Sequence, residues 1–114
     1  MIMVTIPNKL INASYKMSLN AMRLRTLAFM RLTPIDYLIG APPITISAED
    51  WREVFIGSEQ SYRDLMRAAK AFSKATVLFK GETKRVPFLD EVEYRSGAGN
   101  VVLYFNREFL LLCL

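Results

Sequence analysis

The side chains best equipped for chemistry are scarce in this chain of 114 residues. It has no histidine, which removes the commonest general base, metal ligand and pH switch together. The single cysteine, Cys113, allows no internal disulfide and no cysteine-rich metal site. It lies in an aliphatic run and reads as a small buried hydrophobe. Tyr15, Tyr37, Tyr62, Tyr94 and Tyr104 are potential nucleophiles, but no histidine cluster stands beside one to hold a metal. Asp90, Glu91 and Glu93 have the chemistry to bind a divalent cation, although an acidic run near a strand end is more often a solvated loop. Gly97-Ala98-Gly99 lacks the Gly-Lys-Ser/Thr ending of a phosphate loop and falls between strand-like runs. The residue inventory points away from an enzyme, and no catalytic residue, metal or cofactor is expected.

What the chain has in quantity is segregated positive charge. The net charge is +4 and the pI about 9.4. Residues 1–32 carry Lys9, Lys16, Arg23, Arg25 and Arg31 with no acid. Residues 33–60 are acidic: Asp36, Glu49, Asp50, Glu53 and Glu59 oppose Arg52 alone. Residues 61–85 hold Arg63, Arg67, Lys70, Lys74, Lys80, Lys84 and Arg85 against Asp64 and Glu82. Residues 86–114 are again mildly acidic. Basic blocks of this kind suit a polyanion partner; a mixed solvated surface is the alternative.

The elements that must carry these charges are legible in outline. Pro7 suggests a short helical turn over Asn8 to Ala13. Ser18 reads as the N-cap of a helix from about Leu19 to Leu32, with Met17, Ala21, Leu24 and Ala28 on a core face. Met22 and Phe29 lie on nearly the opposite side, so this helix should be central. Pro34 should end it, and Ile35 to Ile46 read as a connector with Gly40 and the Pro42-Pro43 pair, whose end, Ile44-Thr45-Ile46, alternates as a strand does. Ser47 and Asp50 form a capping-box pattern that opens a short helix to about Phe55, with Trp51, Val54 and Phe55 inward. A turn containing Gly57 follows. Ser61 and Asp64 start a helix to Lys74 whose apolar stripe is Tyr62, Leu65, Met66, Ala69 and Phe72. Arg63, Arg67, Lys70 and Lys74 recur at helical spacing on its other side.

Thr76 to Lys80, Val86 to Tyr94 and Val101 to Phe105 read as strands, the last two joined by the glycine-rich loop Arg95 to Asn100. Asn106 caps a terminal helix. A helix-turn-helix followed by a β-hairpin is the outline of an α+β winged helix. Met17, Leu24, Ala28, Trp51, Phe55, Leu65, Ala69, Phe72, Leu78, Phe88, Val92, Leu103 and Phe105 should supply most of its core. No stretch is long and apolar enough to be a membrane span, and no secretory leader is evident. A cytoplasmic domain without membrane contact is therefore expected.

Asn8-Lys9-Leu10-Ile11-Asn12-Ala13-Ser14-Tyr15 resembles the opening signature, Asn-x-Leu-x-x-Ala-x-Tyr, of iteron-binding plasmid replication initiators (Rep proteins). Ile46 to Trp51, Ser61 to Lys70, Val92 to Val102 and Phe105 to Leu114 are similar, in order, to that family's later helices and wing. The resemblance implies the first of two winged-helix domains, spanning residues 1–114, and the apolar chain end suits the interior of a longer protein. It implies initiation of plasmid DNA replication through double-stranded origin repeats, repression of the protein's own gene at an operator, homodimerisation and contact with host replication proteins. The rival reading is a protein-interaction module with little DNA affinity. On the first reading Arg63, Arg67, Lys70, Lys74, Lys80, Lys84 and Arg85 meet DNA, with the Arg95 to Asn100 loop as a second candidate. The β-rich half, through Val101, Leu103 and Phe105, is the expected dimer interface, with the terminal helix as a further contributor.

Overall fold

The computed structural model describes residue 10 and residues 13–55 and 61–114. The helical turn expected from Pro7 lies mostly outside them, as does the Gly57 turn. Four of the helix starts are set by local caps. Ser18 Oγ accepts from the Ala21 N–H at 3.2 Å and opens α1, Leu19–Phe29. The Asp50 carboxylate accepts from the Ser47 N–H at 2.8 Å, and Ser47 Oγ accepts from the Asp50 N–H at 3.0 Å. That reciprocal pair ends strand β2, Ile44–Ser47, and begins α3, Ala48–Val54. Asn106 Oδ1 accepts from the Phe109 N–H at 2.8 Å and opens α5, Arg107–Leu112. The connector after α1 contains a helix the sequence reading missed, α2, Pro34–Ile39. Pro34 stands at its first position, where a proline loses no helical hydrogen bond, and Asp36 accepts from the Thr33 N–H at 2.7 Å.

Helix α4, Ser61–Lys74, leads into two antiparallel sheets. The smaller has the order β1-β3-β4, from Ser14–Tyr15, Thr76–Leu78 and Val86–Pro87. The larger has the order β2-β6-β5. There β5, Leu89–Arg95, and β6, Asn100–Phe105, form the hairpin around a 3-10 turn at Ser96–Ala98. Gly99 closes that turn at φ +66°, a left-handed conformation that favours glycine. The run Val86 to Tyr94 is thus two strands in different sheets. Phe88, between them, is fully buried, and its carbonyl accepts from the Asn106 N–H at 2.9 Å.

The core joins α1 and α4 to both sheets. Phe88 packs against Phe72 at 5.2 Å and Phe109 at 4.8 Å between ring centroids, and Phe29 stacks on Phe109 at 6.4 Å. Leu24, Ala28, Trp51, Leu65, Ala69, Phe72, Phe88, Leu103 and Phe105 are buried as expected, and Met17, Phe55 and Val92 are partly so. Leu78 is not a core residue; Val77 and Phe79 are, because the strand sits one residue out of the expected register. Val54 and Met66, expected inward, are among the exposed apolar residues.

Candidate nucleic-acid interface

Helix α4 turns one side fully to the core and the other fully to solvent. Leu65, Ala68, Ala69 and Phe72 are completely buried, while Arg63, Arg67, Lys70 and Lys74 are all exposed. At about 100° per residue the basic stripe lies diametrically opposite the buried one. Over eleven residues it extends about 16 Å along the helix at a rise of about 1.5 Å each. A row of exposed cations matches a nucleic-acid backbone in sign.

The turn between β3 and β4 adds further exposed bases. Lys80, Lys84 and Arg85 are exposed there, and Gly81 takes φ +89° as the chain reverses. Arg85 Nε donates to Thr76 Oγ1 at 3.0 Å. Thr76 is two residues beyond Lys74, so this bond brings the turn's guanidinium to the end of the α4 stripe. The sequence placed all seven bases in one block, and the fold keeps them on the outside.

Several basic residues outside that block are engaged elsewhere. Arg31 binds the Thr45 carbonyl at 2.9 Å and the Asp50 carboxylate at 3.0 Å, tying α1 to β2 and α3. Burial opposes ionisation of Asp50, but the Ser47 N–H and hydroxyl and the Arg31 charge together outweigh it and hold its carboxyl below the usual range. Arg23 lies over the Phe55 ring at 5.1 Å. Arg25 is buried, with its guanidinium 5.0 Å over the Tyr15 ring. The N-terminal basic block is therefore only partly a surface feature. The hairpin loop, the second candidate, carries little free positive charge: Arg95 pairs with Glu93, and Ser96 to Ala98 expose no ionisable group.

Val101, Leu103 and Phe105 are not placed as the dimer expectation requires. Val101 and Leu103 are fully buried and Phe105 is 7% exposed, all in the chain's own core. Strand β6 is also central, with β2 and β5 on its two edges, so it offers no free backbone edge. In this conformation these three side chains offer a second copy little surface. Among the described residues the exposed large apolar side chains are elsewhere: Leu19 and Met22 on α1, Val54 on α3, Met66 on α4, Tyr94 on β5, and two groups, Ile35, Leu38 and Ile39 on α2 and Leu111 and Leu114 at the chain end. Arg107 of α5 donates to the Leu38 carbonyl, which draws these two groups together. Among the described residues no group of three His, Cys, Asp or Glu is arranged to hold a metal, and no helix is long and apolar enough to cross a membrane.

A family model described as Initiator Replication protein, WH1, matches residues 3–113. The chain belongs to that family. Two solved structures share the fold. The Pi initiator protein, solved in complex with iteron DNA, aligns with a TM-score of 0.72 at 18% identity over 95% of this chain and 47% of its own. The WH1 domain of the replication protein MSBI1.176, isolated from a multiple sclerosis patient, aligns at 0.71 with 19% identity over 97% of this chain and 89% of its own. Among curated proteins none matches the chain. The WH1 domain described here spans just under half the length of the Pi initiator chain, 47%. Its winged helix consists of α1, β2, α3 and α4 followed by the β5–β6 hairpin.

Proposed function

We propose that this WH1 domain binds double-stranded DNA at plasmid origin repeats, chiefly through the phosphate backbone, as one part of a replication initiator. The observation that carries the reading is the exposed, diametric stripe of Arg63, Arg67, Lys70 and Lys74 on α4. Lys80, Lys84 and Arg85 widen the footprint. Family membership and the iteron complex of the Pi initiator support DNA as the polyanion. The domain acts by binding, without a catalytic step of its own. In the intact initiator it works as a homodimer that also represses its own gene and meets host replication proteins.

Arg67→Ala with Lys70→Ala tests the reading. Duplexes of unrelated sequence should all bind more weakly by a similar factor, because phosphate contacts carry no sequence information. Loss confined to one sequence, by about 1–3 kcal/mol at one base pair, would mean that one of these side chains reads a base instead. A folded double variant with wild-type affinity would remove this face from the DNA site.

A second reading has its own observation. Ile35, Leu38 and Ile39 on α2 and Leu111 and Leu114 at the chain end are exposed, and α2 and α5 pack together, so these apolar side chains suit contact with protein. Ile39→Glu should then abolish self-association or host-factor binding while leaving DNA affinity intact, as sedimentation and anisotropy would read.

A further inference from the structure

Arg52 is near the end of α3, and its guanidinium reaches across to α4. Its Nε donates to Ser61 Oγ at 3.2 Å in a part-buried bond. Ser61 is the first residue of α4 and is buried, on the same side as Leu65, Ala68, Ala69 and Phe72. Alanine at two of those positions lets helices approach closely but leaves shallow ridges. Such packing fixes distance better than rotation or axial slide. A directional bond at the first turn supplies what the alanines do not.

We propose that Arg52 is a positioning residue, pinning the first turn of α4 to α3 and so setting the angle at which Arg63, Arg67, Lys70 and Lys74 meet a phosphate backbone. The proposal rests on the DNA-binding reading above. Its bond lies on the buried side of α4, opposite the stripe, so Arg52 acts through Ser61 and not by touching DNA. The planar Nε–H is the feature used, and a lysine ammonium does not reproduce it.

The test uses the whole chain and a short fluorescein-labelled duplex of random sequence. Ser61→Ala keeps every charge, Arg52→Met removes donor and charge, and Arg52→Lys keeps the charge on a mobile ammonium but loses the planar Nε–H. Each should weaken binding by roughly three- to tenfold at every salt concentration, with log K against log salt parallel to wild type. Ser61 has contacts besides Arg52. The double variant Arg52→Met/Ser61→Ala isolates their shared contribution and should bind no more weakly than the weaker single variant. Amide exchange without DNA should show lost protection at the start of α4 in all of them. A slope shallower by about 0.9 in Arg52→Met, with Ser61→Ala unchanged, would make Arg52 a phosphate contact and overturn the proposal. Full affinity in Arg52→Lys would overturn it as well. If Arg52→Met does not fold, Ser61→Ala and Arg52→Lys decide alone. Absence of DNA binding by the wild type would sink the parent reading, while amide exchange would still report whether the pin exists.

Discussion

Arg25 is 7% exposed, and its Nε and Nη1 have no hydrogen-bond partner among the described residues. The Tyr15 ring offsets part of the desolvation, but a buried donor left unmade costs about 1–3 kcal/mol. Arg25→Met keeps the length and the ring contact, so urea unfolding should show unchanged or slightly higher stability. A loss of about 2 kcal/mol or more would show that the guanidinium has a strong partner. DNA affinity should not move, because Arg25 is off the α4 stripe. Asp50 behaves oppositely. Its folded carboxyl titrates below the unfolded one, so its contribution is present above the unfolded pKa and is lost as pH falls through the folded value. Asp50→Asn should cost about 1 kcal/mol at neutral pH, mostly through the cap, and almost nothing near ~pH 2. An equal cost at both pH values would show that charge plays no part in tying α3 to Arg31.

At the scale of elements, legibility followed how local the cause was. Caps at Ser18, Ser47 and Asn106 are satisfied within three residues, and all three helix starts were read from the sequence. The α2 signal is equally local: Pro34 reads as a stop for α1, but Thr33 and Asp36 make it a start. The break at Phe88 has a tertiary cause. Burial of the ring and the bond from Asn106 divide one apolar run between two sheets, and nothing within Val86 to Tyr94 announces it. The three buried neighbours Val101, Val102 and Leu103 did carry a missed signal. An unbroken apolar run marks a strand covered on both faces, not one with a face left for a partner. The face of α4 was legible because a half-buried helix of fourteen residues shows its period clearly. The bases of the β3–β4 turn were legible as well, as part of the same charged block; the Arg85–Thr76 bond that ties that turn back to β3 was not, because it is a tertiary contact. Arg85→Ala with Lys84→Ala should lower DNA affinity and flatten the salt slope by about 1–2, with thermal melting little changed because both residues are exposed. An unchanged slope would end the footprint at Lys74.

For the whole molecule, the division of charge orients any polyanion. The α4 stripe and the β3–β4 turn present seven exposed bases, whereas the β5 edge presents Asp90 and Glu91 and spends Arg95 on Glu93. DNA laid against the stripe is attracted there and repelled at the strand edge, so the net charge of +4 understates the field at the contact. The most direct test is salt dependence of duplex binding by the wild type and by Arg67→Ala/Lys70→Ala, after circular dichroism and melting show both folded. Each neutralised phosphate contributes about −0.9 to the slope of log K against log salt. Two or three such contacts along α4 should give a wild-type slope of at least about −2, flattened by roughly 1–2 in the double variant. Identical slopes and affinities in the two proteins would contradict the assignment of DNA binding to this helix.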